Sequence, residues 1–332
     1  MEDGLQNKIT NIQVLRFIAA FSVMMVHLPL IGFGIWGVDI FFVISGFIMM
    51  YVTEKNHKNF FLKRLIRIIP IYWILTFGVF SVAILKPDLL NNTTADYEHL
   101  LKSLFFIPFN KNETGHFPIL FLGWTLNYEM IFYIIFTITL IFFRKNKIIA
   151  CSSIIILFVL LNYAFKEKNF IFQIYSNTIL FEFIFGLIAY YIWKKYNIKY
   201  SEISLLKKNI LFFFLTFIIL ILVNTHLPRV INFGIPAFFV VLIFLFFLKN
   251  FQFPKIFILL GDASYCLYLI HPYVIQFFYK FLNISGLNLI QEISYTVIII
   301  ICTLLISILF FKFIEKPINL KLRKNFITNE NL

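Results

Sequence analysis

The sequence predicts an all-α integral membrane protein, a polytopic bundle of about ten transmembrane helices with both termini in the cytoplasm. Three observations predict it. The chain is 61% hydrophobic and 14% charged, with a mean hydropathy of +0.88, whereas soluble domains are roughly 45–50% apolar. Its apolar residues gather into ten runs, each near the length that crosses a hydrocarbon core: 12–31, 36–53, 68–86, 117–142, 148–165, 171–193, 209–226, 230–248, 256–279 and 291–313. The basic residues alternate between the two sides of those runs. With the N-terminus inside, one side receives Lys8, Arg16, the 55–67 cluster, 144–147, 194–208, Lys249, Lys255 and the tail from Lys312, which together hold 22 of the 29 lysines and arginines. An excess of Lys and Arg marks cytoplasmic loops, and a miscounted helix would scramble the split.

Taken in order, the polar N-terminus leads into the first run without a small-residue cleavage site, so that run reads as a retained helix rather than a signal. It carries Arg16 and His27. Eleven residues return to nearly the same helix face and span roughly 16 Å, so one face holds a cation low and an imidazole high. A turn with Pro29, Gly32, Gly34 and Gly37 follows, and the second run can return Asp39 beside His27. Arg64 and Arg67 stand at the cytoplasmic entry to the third run. The segment 87–116 lies outside and carries Asp88, Asp96, Glu98 and Glu113; its apolar piece 104–109 either lies on the membrane or dips into a site. The fourth run places Glu129 near mid-membrane, flanked by Trp124, Asn127 and Tyr128. The sixth holds Glu182, which with Glu129 is a candidate structural partner of the arginines in a polar core, and the ninth holds Asp262 at its inner end with His271 deeper. Ionisable groups in hydrocarbon cost several kcal/mol and mark function by default. Their spread over several helices implies a shared polar interior.

Composition also excludes. The net charge of +13 lies in short clusters between apolar runs, which argues against a nucleic-acid partner. Cys151, Cys266 and Cys302 lie in or beside apolar runs, with neither a disulfide framework nor metal-ligand spacing, so no metal is expected. No linker, low-complexity tract or second soluble domain interrupts the chain, and 1–332 reads as one transmembrane domain.

Seven strings in order carry a resemblance: Arg16-x10-His27, GVDIFFVISGF at 37–47, Arg64-x-x-Arg67, WTLNYEMIFY at 124–133, FEFIFG at 181–186, SYCLYLIHP at 264–272 and EKPI at 315–318. On these the chain resembles the membrane-bound acyltransferase 3 family over nearly its whole length. The fourth string is most similar to that of exopolysaccharide and O-antigen acetyltransferases. The resemblance implies a multi-pass protein of the cell inner membrane that transfers an acyl group from acetyl-CoA, or a related acyl-CoA, to a glycan hydroxyl. It maps His27 as the catalytic residue and Arg16, Arg64 and Arg67 near the acyl donor. The expected partners are membrane lipid and a glycan or lipid-linked oligosaccharide. A transporter or flippase of a lipid-linked glycan is the rival reading, though no internal repeat supports it.

The residues agree with that expectation. Arginines fork onto phosphate, and the three arginines sit at the end where acyl-CoA arrives. Neutral His27 can take a proton from the attacking hydroxyl as general base, or carry the acyl group covalently. Asp39 can orient the imidazole as the acid of a triad does. Glu129 is the third catalytic candidate, with Trp124, Asn127, Tyr128 and His271 as candidate contacts to the acceptor. His271, followed by Pro272, serves equally well as a structural hydrogen bond at a kink.

Overall fold

The computed structural model describes residues 9–90, 93–110, 117–201, 204–223, 227–281 and 288–327. Lys8, Lys111 and Glu113, part of the expected charge pattern, lie outside the described residues. Helices account for all regular structure among the described residues.

The first apolar run yields α1 (Thr10–Val26), which stops five residues short of the expected end, with His27 as its C-cap at φ −89°. Pro29 disfavours helix at the residue before it, and Gly32 and Gly34 then turn the chain at φ 64° and 121°. The Cβ of any other residue at Gly34 would lie 2.2 Å from Ser22 O, so the turn folds back tightly against α1. The chain returns as α2 (Gly37–Lys55). Next, α3 (Phe60–Leu85) begins eight residues before the expected 68 and takes Arg64 and Arg67 into its first turns. Three residues apart, they share a face.

The segment after α3 dips inward. Asp96 caps the short α4 (Tyr97–Leu104) by accepting from His99 N. Tyr72 Oη and Trp73 Nε1 on α3 donate to the carbonyls of Ser103 and Leu104, both at 3.0 Å. The apolar piece at 104–109 thus joins the bundle through buried Leu104 and Phe106. Then come α5 (Trp124–Phe142), α6 (Lys147–Ala164), α7 (Phe170–Tyr175) and α8 (Phe181–Ser201). The expected run 171–193 is split between α7 and α8, where Asn177 caps a short 3₁₀ turn. The chain continues with α9 (Leu205–Val223), a π-helical turn at Val230–Gly234 and α10 (Ile235–Phe246). The run 256–279 is likewise two helices, α11 (Lys255–Asp262) and α12 (Ser264–Phe281), bent by 74°. The chain ends in α13 (Leu289–Phe310), a second π turn at Phe311–Glu315, and α14 (Lys316–Phe326).

Five described helical stretches are long and apolar enough to cross a membrane, and the bent α11–α12 pair makes a sixth; Thr10–Val26 and Val230–Phe246 are apolar but shorter. That is fewer than the ten expected spans. Hydropathy counts an apolar run whole, whereas caps and bends shorten the runs at 12–31 and 230–248 and break the one at 256–279.

A close crossing joins α2 to α8. A Cβ on Gly46 would stand 2.2 Å from Phe183 O, and one on Gly186 would stand 2.2 Å from Val43 O. Without lipid-driven hydrophobic attraction between helices, small residues that let backbones approach supply the packing. Around this crossing Phe42, Phe132 and Phe183 interleave, the last two stacked at 4.1 Å. On the other side α1 packs between α2, α11 and α12. Arg16, near the middle of α1, and His27, at its C-terminal end, therefore both face helix contacts.

Candidate functional site

A cleft enclosing about 770 Å³, open solvent included, lies between α1, α2, α3, α5 and α12. Arg16, Arg64 and Arg67 all line it, together with Glu129. On α5 the lining residues Thr125, Glu129 and Tyr133 recur every four positions and so form one face. Glu129 Oε1 accepts from Tyr133 Oη and, at 3.3 Å, from Ser45 Oγ. The arginines are not held by ion pairs among the described residues, and Arg64 Nε is buried without a hydrogen-bond partner. Three convergent guanidiniums, one with an orphaned buried donor, suit an anionic ligand with several acceptor oxygens.

The two histidines meet at the far end of α1. His271 Nε2 lies 3.2 Å from His27 Nδ1, with ring centroids 4.9 Å apart. His271 is fully buried and His27 half-buried. The network assigns their protons. His271 Nδ1 lies 2.9 Å from Leu267 O, and a carbonyl only accepts, so that nitrogen carries hydrogen and Nε2 of the neutral ring offers a lone pair. His27 Nδ1 faces that lone pair and also Val23 O at 2.9 Å, so it too carries hydrogen. The lone pair of His27 is left on Nε2. A neutral imidazole with a fixed tautomer and an uncommitted Nε2 is equipped to accept a proton.

Tyr268 and Thr125 stand between the cleft and this pair. Both line the cleft, and their hydroxyls are 2.9 Å apart. Tyr268 lies one turn before His271, ring centroids 6.3 Å apart, while Phe121, one turn before Thr125, stacks edge-on to His27 at 6.1 Å. The arginine cleft thus ends at a tyrosine whose other side borders the histidines.

Asp39 does not reach His27. It is fully buried and forms a two-pronged pair with Arg229, Nε to Oδ1 at 3.0 Å and Nη2 to Oδ2 at 2.7 Å. Glu182 is not beside the cleft arginines. It is fully buried, its oxygens lack partners among the described residues, and the charges acting on it are Asp39 and Arg229. Gly234, in the π turn, leaves it room: a Cβ there would meet Glu182 Cγ at 3.1 Å. Nor do Trp124, Asn127 and Tyr128 line the cleft. Tyr128 Oη donates to Ile174 O at 2.9 Å and Trp124 packs edge-on against its ring, away from the cleft-lining face of Thr125, Glu129 and Tyr133. Asn127 is buried with Oδ1 unpartnered.

Sequence reasoning passed over Tyr133, Ser45, Tyr265 and Tyr268 of the cleft, and Glu315. Glu315 ends the second π turn, accepts from Cys266 Sγ at 2.8 Å and acts electrostatically on Arg16. Isolated π turns cluster at functional sites, but nothing in local hydropathy announces one. Among the described residues no group of three or more His, Cys, Asp or Glu side chains is placed to hold a metal ion.

Comparison with known proteins adds to this geometry. A family model described as an acyltransferase domain matches residues 9–312. The chain is similar to the exopolysaccharide production protein ExoZ of Rhizobium meliloti (strain 1021), 35% identical over 166 residues, covering 49% of this chain and 52% of that protein. It is also similar to provisionally named O-acetyltransferases of Staphylococcus aureus, 25% identical in strain COL and 26% in strain MSSA476 over 347 aligned positions, covering 91% of this chain and 56% of theirs. The chain spans about half the length of these curated relatives. No solved structure matches it.

Proposed function

The chain belongs to the acyltransferase 3 family, and from that premise we propose that it moves an acetyl or similar acyl group from cytoplasmic acyl-CoA to a hydroxyl of a surface or lipid-linked glycan. The observation that carries this reading is the convergence of Arg16, Arg64 and Arg67 on one cleft whose far end borders the His27–His271 pair. The names of the relatives, exopolysaccharide production and O-acetyltransferase, support a carbohydrate acceptor.

In this reading the protein is a multi-pass protein of the inner, or plasma, membrane. The basic bias assigns the arginine end to the cytoplasm and the histidine end to the outside. Both termini then lie inside, and the ten-span topology stands as part of the proposal. The arginines hold the phosphates of acetyl-CoA, and Arg64 Nε supplies a donor that nothing else claims. The pantetheine arm runs toward Tyr268. From Arg16 to His27 the helix rises roughly 16 Å, a span an extended arm of that kind can cover. His27 Nε2 takes the proton of the acceptor hydroxyl as its oxygen attacks the thioester carbonyl. The carbon–sulfur bond breaks, the acyl group remains on the sugar oxygen, and the thiolate of CoA leaves with the proton from His27. His271 holds the His27 tautomer throughout and so takes the positioning role that sequence proximity suggested for Asp39. Tyr268 and Thr125 separate the cleft from the histidines, so the thioester must displace or pass their hydroxyl pair.

The test compares the surface glycan of cells with and without this protein by mass and proton NMR, beside radiolabelled acetyl transfer by the purified protein. A missing acetyl ester in the depleted cells and label on the glycan are expected. An identical glycan and no transfer contradict the proposal.

A further inference from the structure

A second cavity, also enclosing about 770 Å³ with open solvent included, lies between the histidine-end halves of α3 and α12. It stands apart from the arginine cleft and shares no lining residue with it. Its walls are hydrocarbon from Leu75, Val79 and Val82 on one side and Ile270, Phe277 and Phe281 on the other. The polar atoms along it are turned to other work. Tyr273 Oη accepts from Phe121 N at 3.2 Å, and Gln276 Nε2 donates to Leu89 O at 2.8 Å. A groove lined so largely by hydrocarbon suits an apolar chain better than a sugar.

Two further features say what kind of chain. The deep end, at Ile270 and Tyr273, flanks His271, and the other end carries Lys280. Lys280 Nζ donates to Asp88 O at 2.6 Å, which leaves an ammonium with further donors at the rim. An apolar groove with a cation at the rim complements a lipid with an anionic head. One groove takes one chain, which favours a single-chain lipid phosphate over a diacyl lipid. We propose that this groove binds the hydrocarbon tail of a polyprenyl-phosphate-linked acceptor, with Lys280 on its phosphate and its glycan turned back over the half-exposed His27. This rests on the acyl-transfer reading and names the acceptor class for it.

Gly78 provides the test. It lines the groove, sits in α3, and a Cβ there meets nothing within 4 Å. Gly78→Phe therefore fills the groove without a backbone clash, and helix propensity favours the change. Gly78→Ala is the control that leaves the groove open. The full chain in nanodiscs is photolabelled with a diazirine-bearing polyprenyl phosphate, and the label is mapped by peptide mass. Labelling should fall within 75–90 and 270–281. Unlabelled polyprenyl phosphate should displace it, and phosphatidylglycerol at the same concentration should not. Gly78→Phe should weaken labelling about tenfold, the effect of excluding some two methylenes, and Gly78→Ala should not. Gly78→Phe should also raise KM for a lipid-linked acceptor while transfer to a short water-soluble glycan stays unchanged. Equal displacement by phosphatidylglycerol, label outside these segments, or intact labelling of Gly78→Phe overturns the proposal. The labelling reads the groove without any acyl transfer, so failure of the wild-type protein to acylate either acceptor counts against the acyl-transfer reading alone.

Discussion

Replacing His271 by Asn isolates what the second histidine contributes. The Asn amide can still donate to Leu267 O, as His271 Nδ1 does at 2.9 Å, but nothing then occupies the place of Nε2. His27 Nδ1 loses one acceptor at 3.2 Å and keeps the other, Val23 O, at 2.9 Å. The tautomer is therefore held by one hydrogen bond instead of two. A single net hydrogen bond is worth about 0.5–1.5 kcal/mol, so kcat should fall about 2- to 13-fold. His271 does not line the arginine cleft, so KM for acetyl-CoA should not move. His271→Gln, whose amide oxygen reaches the Nε2 position, should recover most of the rate. Loss of His27 itself should remove the general base, worth about 10²–10⁴-fold. Initial rates of acetyl transfer in proteoliposomes, over a range of acetyl-CoA, give both constants. If His271→Asn falls as far as His27→Ala, or if Gln rescues nothing, His271 does not act by holding His27 and the tautomer argument is wrong.

Other outcomes follow from the same geometry. Arg64→Ala and Arg67→Ala should raise KM for acetyl-CoA with little change in kcat; lost turnover at unchanged affinity would contradict the phosphate role. Gly186→Ala should lower the melting temperature in detergent, because its Cβ falls 2.2 Å from Val43 O and 2.7 Å from Gly46 Cα, an overpacking that costs about 1–3 kcal/mol; an unchanged melting temperature would deny that α2 and α8 touch at these glycines. A cysteine at exposed Glu98 should react with an impermeant reagent from outside whole cells and one at Lys195 should not, and reversed labelling would overturn the orientation.

What the sequence could reveal followed the range of the interaction. The Arg16–His27 relation is local, fixed by helix geometry over eleven residues, and the order of residues alone discloses it. Arg64 and Arg67 were legible as a pair for the same reason. That they share a cleft with Arg16 depends on how the bundle brings α1 and α3 to one space, and only the resemblance to a family supplied it. The His27–His271 contact joins residues 244 apart, and no periodicity reports such a pairing. Asp39 was misplaced because the hairpin put it near His27 in sequence. Its real partner, Arg229, stood 190 residues away among residues read as loop. The ends of the expected spans shifted where backbone detail decides. GDAS at 261–264 carries the Gly and Asp of a helix break, and there the ninth run bends by 74°. Conversely, FLKR at 61–64 is too charged for a hydropathy window yet forms the first turns of α3.

In the proposed mechanism the two ends of one bundle do different work, the arginines receiving the donor and His27 serving an acceptor that arrives from the other side. Sealed inside-out vesicles test this division directly. Supplied with external radiolabelled acetyl-CoA, they should label a glycan trapped in the lumen, spare the same glycan added outside, and lose the signal with His27→Ala. Label on the external glycan alone, or undiminished luminal label in a well-expressed His27→Ala protein, would contradict it.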